Sequence, residues 1–223
     1  MVTLEEMLSC GVHLGHNVKV WNPKMNSYIF GQRNNIHIID LVQTFICLKK
    51  ACKFLSILYK NNNKKKALFV CTKSRFKSLI EEYAVKSESN YITQRWFGGM
   101  LTNWITVKKC ISNLQDLIKQ QSNYNDSNLK KKDFLKLSKR IKKLEKYLGG
   151  IKTMTDLPSV VILIGQTHEL VAVRECLKLK IPLITIVDTN CNPTLTDLAI
   201  PANDDSISSV SLMLNELVSS MKN

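Results

Sequence analysis

Three short, unbroken apolar segments alternate with helical patterns, and this rhythm most constrains the fold. The segments span 67–71, 160–165 and 183–188, and apolar residues at helical spacing follow each of them. Continuous apolar runs of this length are typical of strands that are buried on both faces. Because such strands alternate with helices, we expect an α/β fold with a parallel sheet that is covered by helices on both faces.

The residues before the first strand segment look less regular. A short amphipathic helix is expected near residues 4–8, then an arm that bears Gly, Asn and Pro. A strand is predicted at 36–40 and a helix at about 43–59, where apolar residues return at helical spacing. Later helices are predicted at about 75–85, 168–179 and 206–221.

Residues 102–149 have no strand pattern. Apolar residues recur there at alternating three- and four-residue steps in two stretches, separated by a polar join at 121–128. Two stretches in matching heptad phase around a polar tip predict an inserted antiparallel coiled-coil hairpin. We therefore divide the chain into residues 1–101, the arm and the first part of an α/β domain; 102–149, the hairpin; and 150–223, the rest of that domain.

Charge is distributed unevenly along the chain. The formal net charge is +14, of which residues 1–100 carry +9, residues 101–150 carry +8 and residues 151–223 carry −3. A positive field confined to one part of a molecule favours a polyanionic partner on that side, and nucleic acid is the commonest one. A basic surface that serves only solubility is the alternative.

Bulk composition excludes other classes. At 44% hydrophobic residues, the 223-residue chain can bury a sizeable core. The longest aliphatic run, 160–164, is far too short to span a bilayer, so we expect no membrane association. The first ten residues resemble neither a secretory signal nor a transit peptide.

The seven cysteines are widely spaced and include no C-x-x-C pair. This argues against a disulfide framework or a four-cysteine zinc site, so most should be small core residues in a reducing compartment. Signatures of phosphate-binding loops, dinucleotide-binding folds, serine hydrolases and zinc proteases are also missing, which lowers the expectation of an enzyme.

Histidines and aspartates offer an alternative chemistry. His13 and His16 stand three residues apart and could share a metal, but the flanking glycines indicate a turn. His37 is expected to be structural. His168 is predicted to open a helix after a strand, where an anion can bind, but no phosphate loop supports such a site and we favour an ordinary role for this residue.

An acidic cluster is expected at the carboxyl edge of the sheet, where doubly wound folds place ligands. Asp188, Asp197, Asp204 and Asp205 could hold Mg²⁺ there, and Asp188 with His168 as acid/base would make a Mg²⁺-dependent enzyme. Turns and helix caps explain the same residues, and we favour them; the prediction is no metal, no cofactor and no small-molecule substrate.

Segments 21–25, 29–34 and 94–104 mix aromatic, basic and glycine residues. Aromatic and Arg side chains can stack on unpaired bases, while Lys and Arg neutralise phosphate. Together with the charge asymmetry, these segments favour RNA contact.

Several stretches resemble the bacterial and plastid form of the ribosomal protein S2 family of the small subunit. They read LEEMLSCGVHLGH at 4–16, WNPKMNSYIFGQRNNIHIIDL at 21–41, RWFGGMLTNW at 95–104, YLGGIKTMTDLP at 147–158 and IPLITIVDTNCNPTLTDLAIPANDDSISS at 181–209. They stand in the family's order and cover nearly the whole chain. One departure is Gly165, where many members carry an acidic residue, which weakens the case for metal at that edge.

The resemblance implies a flavodoxin-like doubly wound sheet with a protruding helical hairpin. It also implies a role as a structural constituent of the small ribosomal subunit, on the solvent side between head and body. There the family binds small-subunit ribosomal RNA near the messenger exit, beside neighbouring ribosomal proteins, and in bacteria helps to dock ribosomal protein S1. It catalyses no reaction.

The resemblance, with charge and placement, implies these RNA-facing residues: Lys19, Trp21, Asn22, Lys24, Arg33, Lys73, Arg75, Arg95, Trp96, Lys108, Lys109, Lys130, Lys131 and Lys132. Most are expected to contact phosphate, which positions a protein without reading sequence.

The opening, the TNW ending and the IPANDD form look most like plastid members of the family. Lysine outnumbers arginine 27 to 5, a bias that an AT-rich genome produces. We therefore expect a plastid ribosome, with a bacterial cytoplasm or a mitochondrion as alternatives.

Overall fold

The structure is a computed structural model, and it describes residues 2–60, 66–123 and 131–222, without the side chains of 123 and 131–133. The helices are α1 (Leu4–Ser9), α2 (Leu41–Lys60), α3 (Lys77–Lys86), α4 (Trp104–Asn123), α5 (Lys131–Leu148), α6 (Leu170–Leu179) and α7 (Ile207–Lys222). The strands are β1 (Leu14–Asn17), β2 (Ile29–Arg33), β3 (Ile36–Ile39), β4 (Ala67–Val70), β5 (Asn90–Ile92), β6 (Val160–Ile164), β7 (Leu183–Val187) and β8 (Leu198–Pro201).

The central sheet is parallel, and its strand order is β5-β4-β6-β7-β8. Numbered among themselves, these strands follow the order 2-1-3-4-5, which is the flavodoxin-like doubly wound order. Every residue of β4, β6 and β7 is buried, as expected for strands that are covered on both faces. The predicted α/β fold is confirmed.

The sheet separates two hydrophobic layers. On one face Phe69 and Ile162 pack with Leu214 of α7, in a cluster that also includes residues of α2 and α3. On the other face Leu68 and Val161 pack in a cluster with residues of α6, α4 and α5. Neighbouring strand residues therefore point to opposite layers, as the pleat requires.

The arm that precedes the central sheet forms a small antiparallel sheet, in the order β1-β3-β2. Its β2–β3 turn is made by Asn34 and Asn35, both with positive φ, the geometry that a tight hairpin requires and that Asn tolerates. Met25, between β1 and β2, is fully buried against Val187 and Cys191. The arm is thereby anchored to the main domain.

Helices α4 and α5 interrupt the central sheet between β5 and β6 and pack against each other. Gln121 donates a hydrogen bond to Ser138, while Gln115, nearer the start of α4, donates to the carbonyl of Lys152 beyond the end of α5. The pairing is therefore antiparallel. Their inner faces include Leu114 and Ile141, both buried. Most of the predicted polar join lies outside the described residues, and coiled-coil supercoiling stays a prediction.

Several element boundaries differ from the sequence-based expectation. Only 36–40 was predicted as strand in the arm, where the structure adds β1 and β2. Strands β5 and β8 were also missed, because they are three and four residues long and β8 is only partly buried. His168 was predicted to open a helix; it lies in an exposed turn, and α6 begins at Leu170.

The buried thiols serve packing. Cys71, Cys176 and Cys191 are fully buried, and burial raises the pKa of each to about 12. Such thiols stay protonated at neutral pH and are poor nucleophiles or metal ligands. Among the helices within the described ranges, none has the length and apolar character that a membrane crossing requires.

Candidate nucleic-acid interface

The arm presents basic side chains to solvent. Lys19 and Lys24 lie in two short 3-10 segments, and Arg33 ends β2; all three are exposed. Between them the ring of Trp21, half-buried, lies 5.1 Å from the ring of His37. The arm therefore offers exposed cations and part of an aromatic ring on one small sheet and the 3-10 segments that connect its strands.

Close backbone contacts hold the arm on the carboxyl edge of the central sheet. The backbone amide of His16 donates to the Thr189 hydroxyl (2.9 Å), and that of Asn22 donates to the Thr189 carbonyl (2.8 Å). A Cβ at Gly15 would lie 2.6 Å from Cγ2 of Thr189. Gly15, the second glycine of the GVHLGH segment, is therefore needed for the close approach of the arm backbone to Thr189.

A second contribution comes from the loop that joins β5 to α4. Arg95 is exposed there, and its guanidinium lies 5.8 Å from the centre of the Phe97 ring. The Phe97 ring contacts the ring of Tyr147 in α5 edge to face, with 5.3 Å between the ring centres. Trp96 is 8% exposed, and its indole N–H donates to Glu175 (3.0 Å). Trp96 therefore lies inside the fold, while Arg95 faces outward.

Glu175 of α6 organises this loop, and sequence reasoning missed it. One carboxylate oxygen accepts from the Trp96 indole and the Gly99 amide; the other accepts from the amide of Leu101 and from the amide and hydroxyl of Thr102. All the distances fall between 2.8 and 3.1 Å. Burial alone would raise the pKa of Glu175, but the donors outweigh it and lower the pKa. The only sequence signal was an acidic residue on the buried face of an amphipathic helix.

Lys73 and Arg75 follow β4 and form salt bridges with carboxylates of this chain. The Lys73 ammonium lies 2.8 Å from Asp204 Oδ1 and 3.0 Å from Asp205 Oδ1, and its side chain is 11% exposed. Arg75 lies 3.6 Å from Asp205 and keeps 52% of its side chain exposed. A Cβ at Gly165 would lie 2.9 Å from Lys73 Cε, so Lys73 fills the crevice beside the end of β6.

The helical hairpin carries further exposed cations. Lys108 and Lys109 are exposed on α4, away from the buried side chain of Ile111. Lys130 lies outside the described residues, as do the side chains of Lys131 and Lys132. Other exposed basic residues of α5 are Lys136, Lys139, Arg140, Lys142, Lys143 and Lys146.

The carboxyl edge of the sheet does not bring together the predicted enzyme pair. The contacts of Asp188 run to His16 Nδ1 (3.0 Å), to Thr189 and to the Asp204 amide (3.3 Å), whereas His168 is exposed in its turn. The hydrogen bond that the Asp188 carboxylate accepts from the His16 ring raises the pKa of His16 more than burial lowers it. His16, rather than His168, is the histidine at this edge.

The exposed cations of the arm, the β5–α4 loop and the hairpin can neutralise phosphates, and a folded RNA surface presents many of them. The structure brings the arm and the sheet edge together through Thr189, and the loop and the hairpin together through Phe97 and Tyr147. An α/β protein with a basic appendage, arranged in this way, is suited to binding a nucleic acid.

Comparisons with known proteins agree with this class. The family model described as "Ribosomal protein S2" matches residues 7–223. The "Small ribosomal subunit protein uS2c" of Euglena gracilis is 54% identical over 99% of this chain and 91% of its own length. The protein of the same name from Mesostigma viride is 51% identical over 97% and 94%, and the "Small ribosomal subunit protein uS2" of a Synechococcus species is 46% identical over 97% and 80%.

The chain belongs to the ribosomal protein S2 family. The resemblance seen in the sequence is thereby confirmed, and so is the prediction that the chain is not an enzyme, because the family and its matched members are named as ribosomal proteins.

Proposed function

We propose that this chain is a structural constituent of the small ribosomal subunit and binds small-subunit ribosomal RNA through its arm and its helical hairpin. The observation that carries the proposal is the segregation of charge. Residues 1–100 carry +9 and residues 101–150 carry +8, with exposed cations on the arm and the hairpin. Residues 151–223, which carry −3, build three of the five strands of the central sheet and the helices α6 and α7.

The residues proposed to contact RNA are those whose charged, aromatic or amide side chains reach the surface. They are Lys19, Trp21, Asn22, Lys24, Arg33, Arg75, Arg95, Lys108 and Lys109, and the proposal extends to Lys130, Lys131 and Lys132 on charge alone. Because Lys and Arg mostly bind phosphate, specificity arises from the fit between the protein and a folded RNA surface.

Two further predicted residues support the interface from within. Trp96 is held by Glu175 and so shapes the loop that presents Arg95. Lys73 is held by Asp204 and Asp205, and its placement fixes the segment from which Arg75 extends. We propose a positioning role for both.

The proposed architecture has two parts. Residues 1–101 and 150–223 form the arm and the α/β domain, and residues 102–149 form the hairpin that the domain carries. Membership in the family supports a site on the solvent side of the subunit between head and body, close to the messenger exit. The acidic C-terminal third suits contacts with neighbouring basic ribosomal proteins, and docking of an S1 homologue belongs to the same proposal.

We propose the plastid ribosome as the place of action. The matched relatives from Euglena gracilis and Mesostigma viride are both named uS2c, and the lysine-rich composition agrees with a small organellar genome. Imaging of the tagged chain in its own cells tests this: signal in plastids supports it, and signal confined to mitochondria contradicts it.

Salt dependence of RNA binding tests the proposed interface. The purified full-length chain should bind small-subunit ribosomal RNA with a log affinity that falls linearly as log salt rises. An equally long, unrelated RNA is the control and should bind more weakly at physiological salt. Equal affinity for both RNAs, or affinity independent of salt, contradicts the proposal.

A further inference from the structure

A groove runs between α2 and α7 and encloses about 720 Å³. Its α2 side includes Phe45, Leu48 and Cys52, and its α7 side includes Glu216 and two small serines. Both helices belong to the hydrophobic layer on one face of the central sheet, whereas the helical hairpin packs on the other face. Pockets that bind a ligand commonly enclose about 300–1,000 Å³, so this groove is large enough to hold several side chains of a partner.

Three exposed lysines form a line along the rim of this groove. Lys49, Lys53 and Lys60 all line it, and all lie on α2. At about 100° per residue, they fall within about 40° of one another around the helix axis, over about 16 Å of its length. The Lys49 ammonium also lies 4.3 Å from the centre of the Phe45 ring. The rim is therefore a row of positive charge beside an apolar wall.

Apolar side chains of α2 form a second line beside these lysines. By the same helical geometry, Phe45 and Cys52 lie about 40–60° from Lys49 around the axis, on the side that faces α7. The Cys52 thiol donates to the backbone carbonyl of Glu216 (3.7 Å), which establishes that direction. Helix α2 therefore presents an apolar strip inside the groove and a basic strip along its rim.

The charge of the groove favours an acidic partner. Three lysines and one glutamate are among the described residues that line it, which gives a net charge of +2. Within the described part of the chain, no carboxylate forms a salt bridge with Lys49, Lys53 or Lys60, whereas two carboxylates hold Lys73. Opposite charges across an interface speed the encounter of two partners and fix their register.

The apolar strip favours a protein segment over a nucleic acid. Phosphates would contact the rim lysines but would leave Phe45 and Cys52 without an apolar partner. An amphipathic helix uses both strips, because its apolar residues at i, i+3, i+4 and i+7 pack in the groove while carboxylates on its flank meet the lysines. From Phe45 to Lys60 the groove is about 22 Å long, which matches a helix of about 15 residues.

We propose that this groove binds an acidic amphipathic helix of a partner protein, about 15 residues long. The apolar residues of that helix pack against Phe45 and Cys52, and its carboxylates pair with Lys49, Lys53 and Lys60. The inference goes beyond the ribosomal role and does not depend on it, since it rests on the groove alone.

Photocrosslinking in the protein's own cells identifies the occupant. Benzoylphenylalanine replaces Ser219, which is exposed on α7 and lines the groove, and mass spectrometry sequences the crosslinked peptide. We expect a protein segment with a net negative charge and with apolar residues at helical spacing. The matched control carries benzoylphenylalanine at Asn215, exposed one turn earlier on α7 but outside the groove lining, and should not capture that segment.

Other crosslinking results overturn the proposal. A crosslink from position 219 to RNA assigns the rim lysines to phosphate, and a crosslink to a second copy of this chain makes the groove a contact between copies. A captured segment without an excess of acidic residues contradicts the role of charge. The absence of any crosslink beyond those of the control shows that the groove has no occupant.

A synthetic copy of the captured segment is then titrated against the purified full-length chain, and fluorescence anisotropy measures the affinity. Lys53→Glu should weaken binding at least about tenfold, because it sets a carboxylate against a carboxylate. Lys50→Glu is the matched control, since Lys50 is exposed on α2 but does not line the groove, and it should bind as the wild type does. Equal affinities of these two variants would overturn the proposal. Circular dichroism checks that each variant is folded, and Lys49→Glu takes the place of Lys53→Glu if the latter is not.

Discussion

Glu175 shows at the scale of one residue how a buried charge supports an exposed surface. Its carboxylate accepts from backbone and side-chain donors of the β5–α4 loop, including Gly99, Leu101 and Thr102. Glu175→Gln replaces one acceptor by an amide N–H₂ group, which leaves buried donors without a partner. We expect a loss of about 3 kcal/mol in the free energy of unfolding at neutral pH, measured by urea denaturation.

The same substitution has a pH signature. The folded-state pKa of Glu175 is lowered from its ordinary value of 4.5. Its ionised form therefore contributes stability that is fully present above pH 4.5 and is lost as pH falls through the folded-state pKa. The stability difference between wild type and Glu175→Gln should shrink at acidic pH. A difference that is constant from neutral to acidic pH would contradict the role given to the charge.

Two adjacent glycines after α5 provide a matched pair. A Cβ at Gly150 would lie 2.2 Å from the Tyr91 carbonyl oxygen of β5, whereas a Cβ at Gly149 would meet nothing within 4 Å. We expect Gly150→Ala to lower the free energy of unfolding by about 1–3 kcal/mol and Gly149→Ala to change it by less than about 0.5 kcal/mol. Equal denaturation midpoints for the two variants would show that the backbone at Gly150 is not packed tightly against Tyr91 of β5.

The exposure of the charged surface residues could be predicted from the sequence, whereas the position of Trp96 inside the fold could not. Lys108, Lys109 and Arg33 could be predicted as exposed cations, because charge alone disfavours burial. Trp96 could not be placed, since an indole suits both a base-stacking surface and a core. The decisive partner, Glu175, lies 79 residues further along the chain, and no local pattern shows such a pairing.

At the scale of elements, the hairpin is the part whose role is most open to test. We expect the double substitution of Lys108 and Lys109 by Glu to weaken incorporation into small subunits, since both side chains are exposed on α4. The salt slope of RNA binding should fall by roughly one unit for each phosphate contact that is lost. Incorporation is measured in cells that express tagged wild type and variant together.

The matched control for that variant is a double charge reversal on α6. Arg174 and Lys178 are also exposed, but they lie in the acidic C-terminal third. Replacing both with Glu should leave incorporation near that of the wild type. If the α4 variant and the α6 variant behave alike, α4 is not part of the RNA surface.

The elements were predictable to different degrees for a physical reason. Strands β4, β6 and β7 lie in the middle of the sheet and are apolar except for Thr185, so their sequence is distinctive. Strand β5 lies at the edge and is short, and the arm strands β1 and β2 are defined by antiparallel pairing with β3. Pairing between distant segments leaves little trace in a local pattern.

At the scale of the whole molecule, residues 1–150 are strongly basic and residues 151–223 are net acidic, a distribution that suits attachment to a polyanion. The sequence has no phosphate-binding-loop motif, and the Lys73 side chain lies beside Gly165, at the carboxyl edge where such folds place ligands. The doubly wound fold of this chain therefore does not by itself imply nucleotide binding.

The central claim is tested most directly by sedimentation of a lysate through sucrose gradients at low and at high salt, with detection of this chain. We predict that it migrates with small subunits at low salt and is released at high salt, because phosphate contacts dominate its attachment. Migration as a free protein at both salt concentrations would contradict the account.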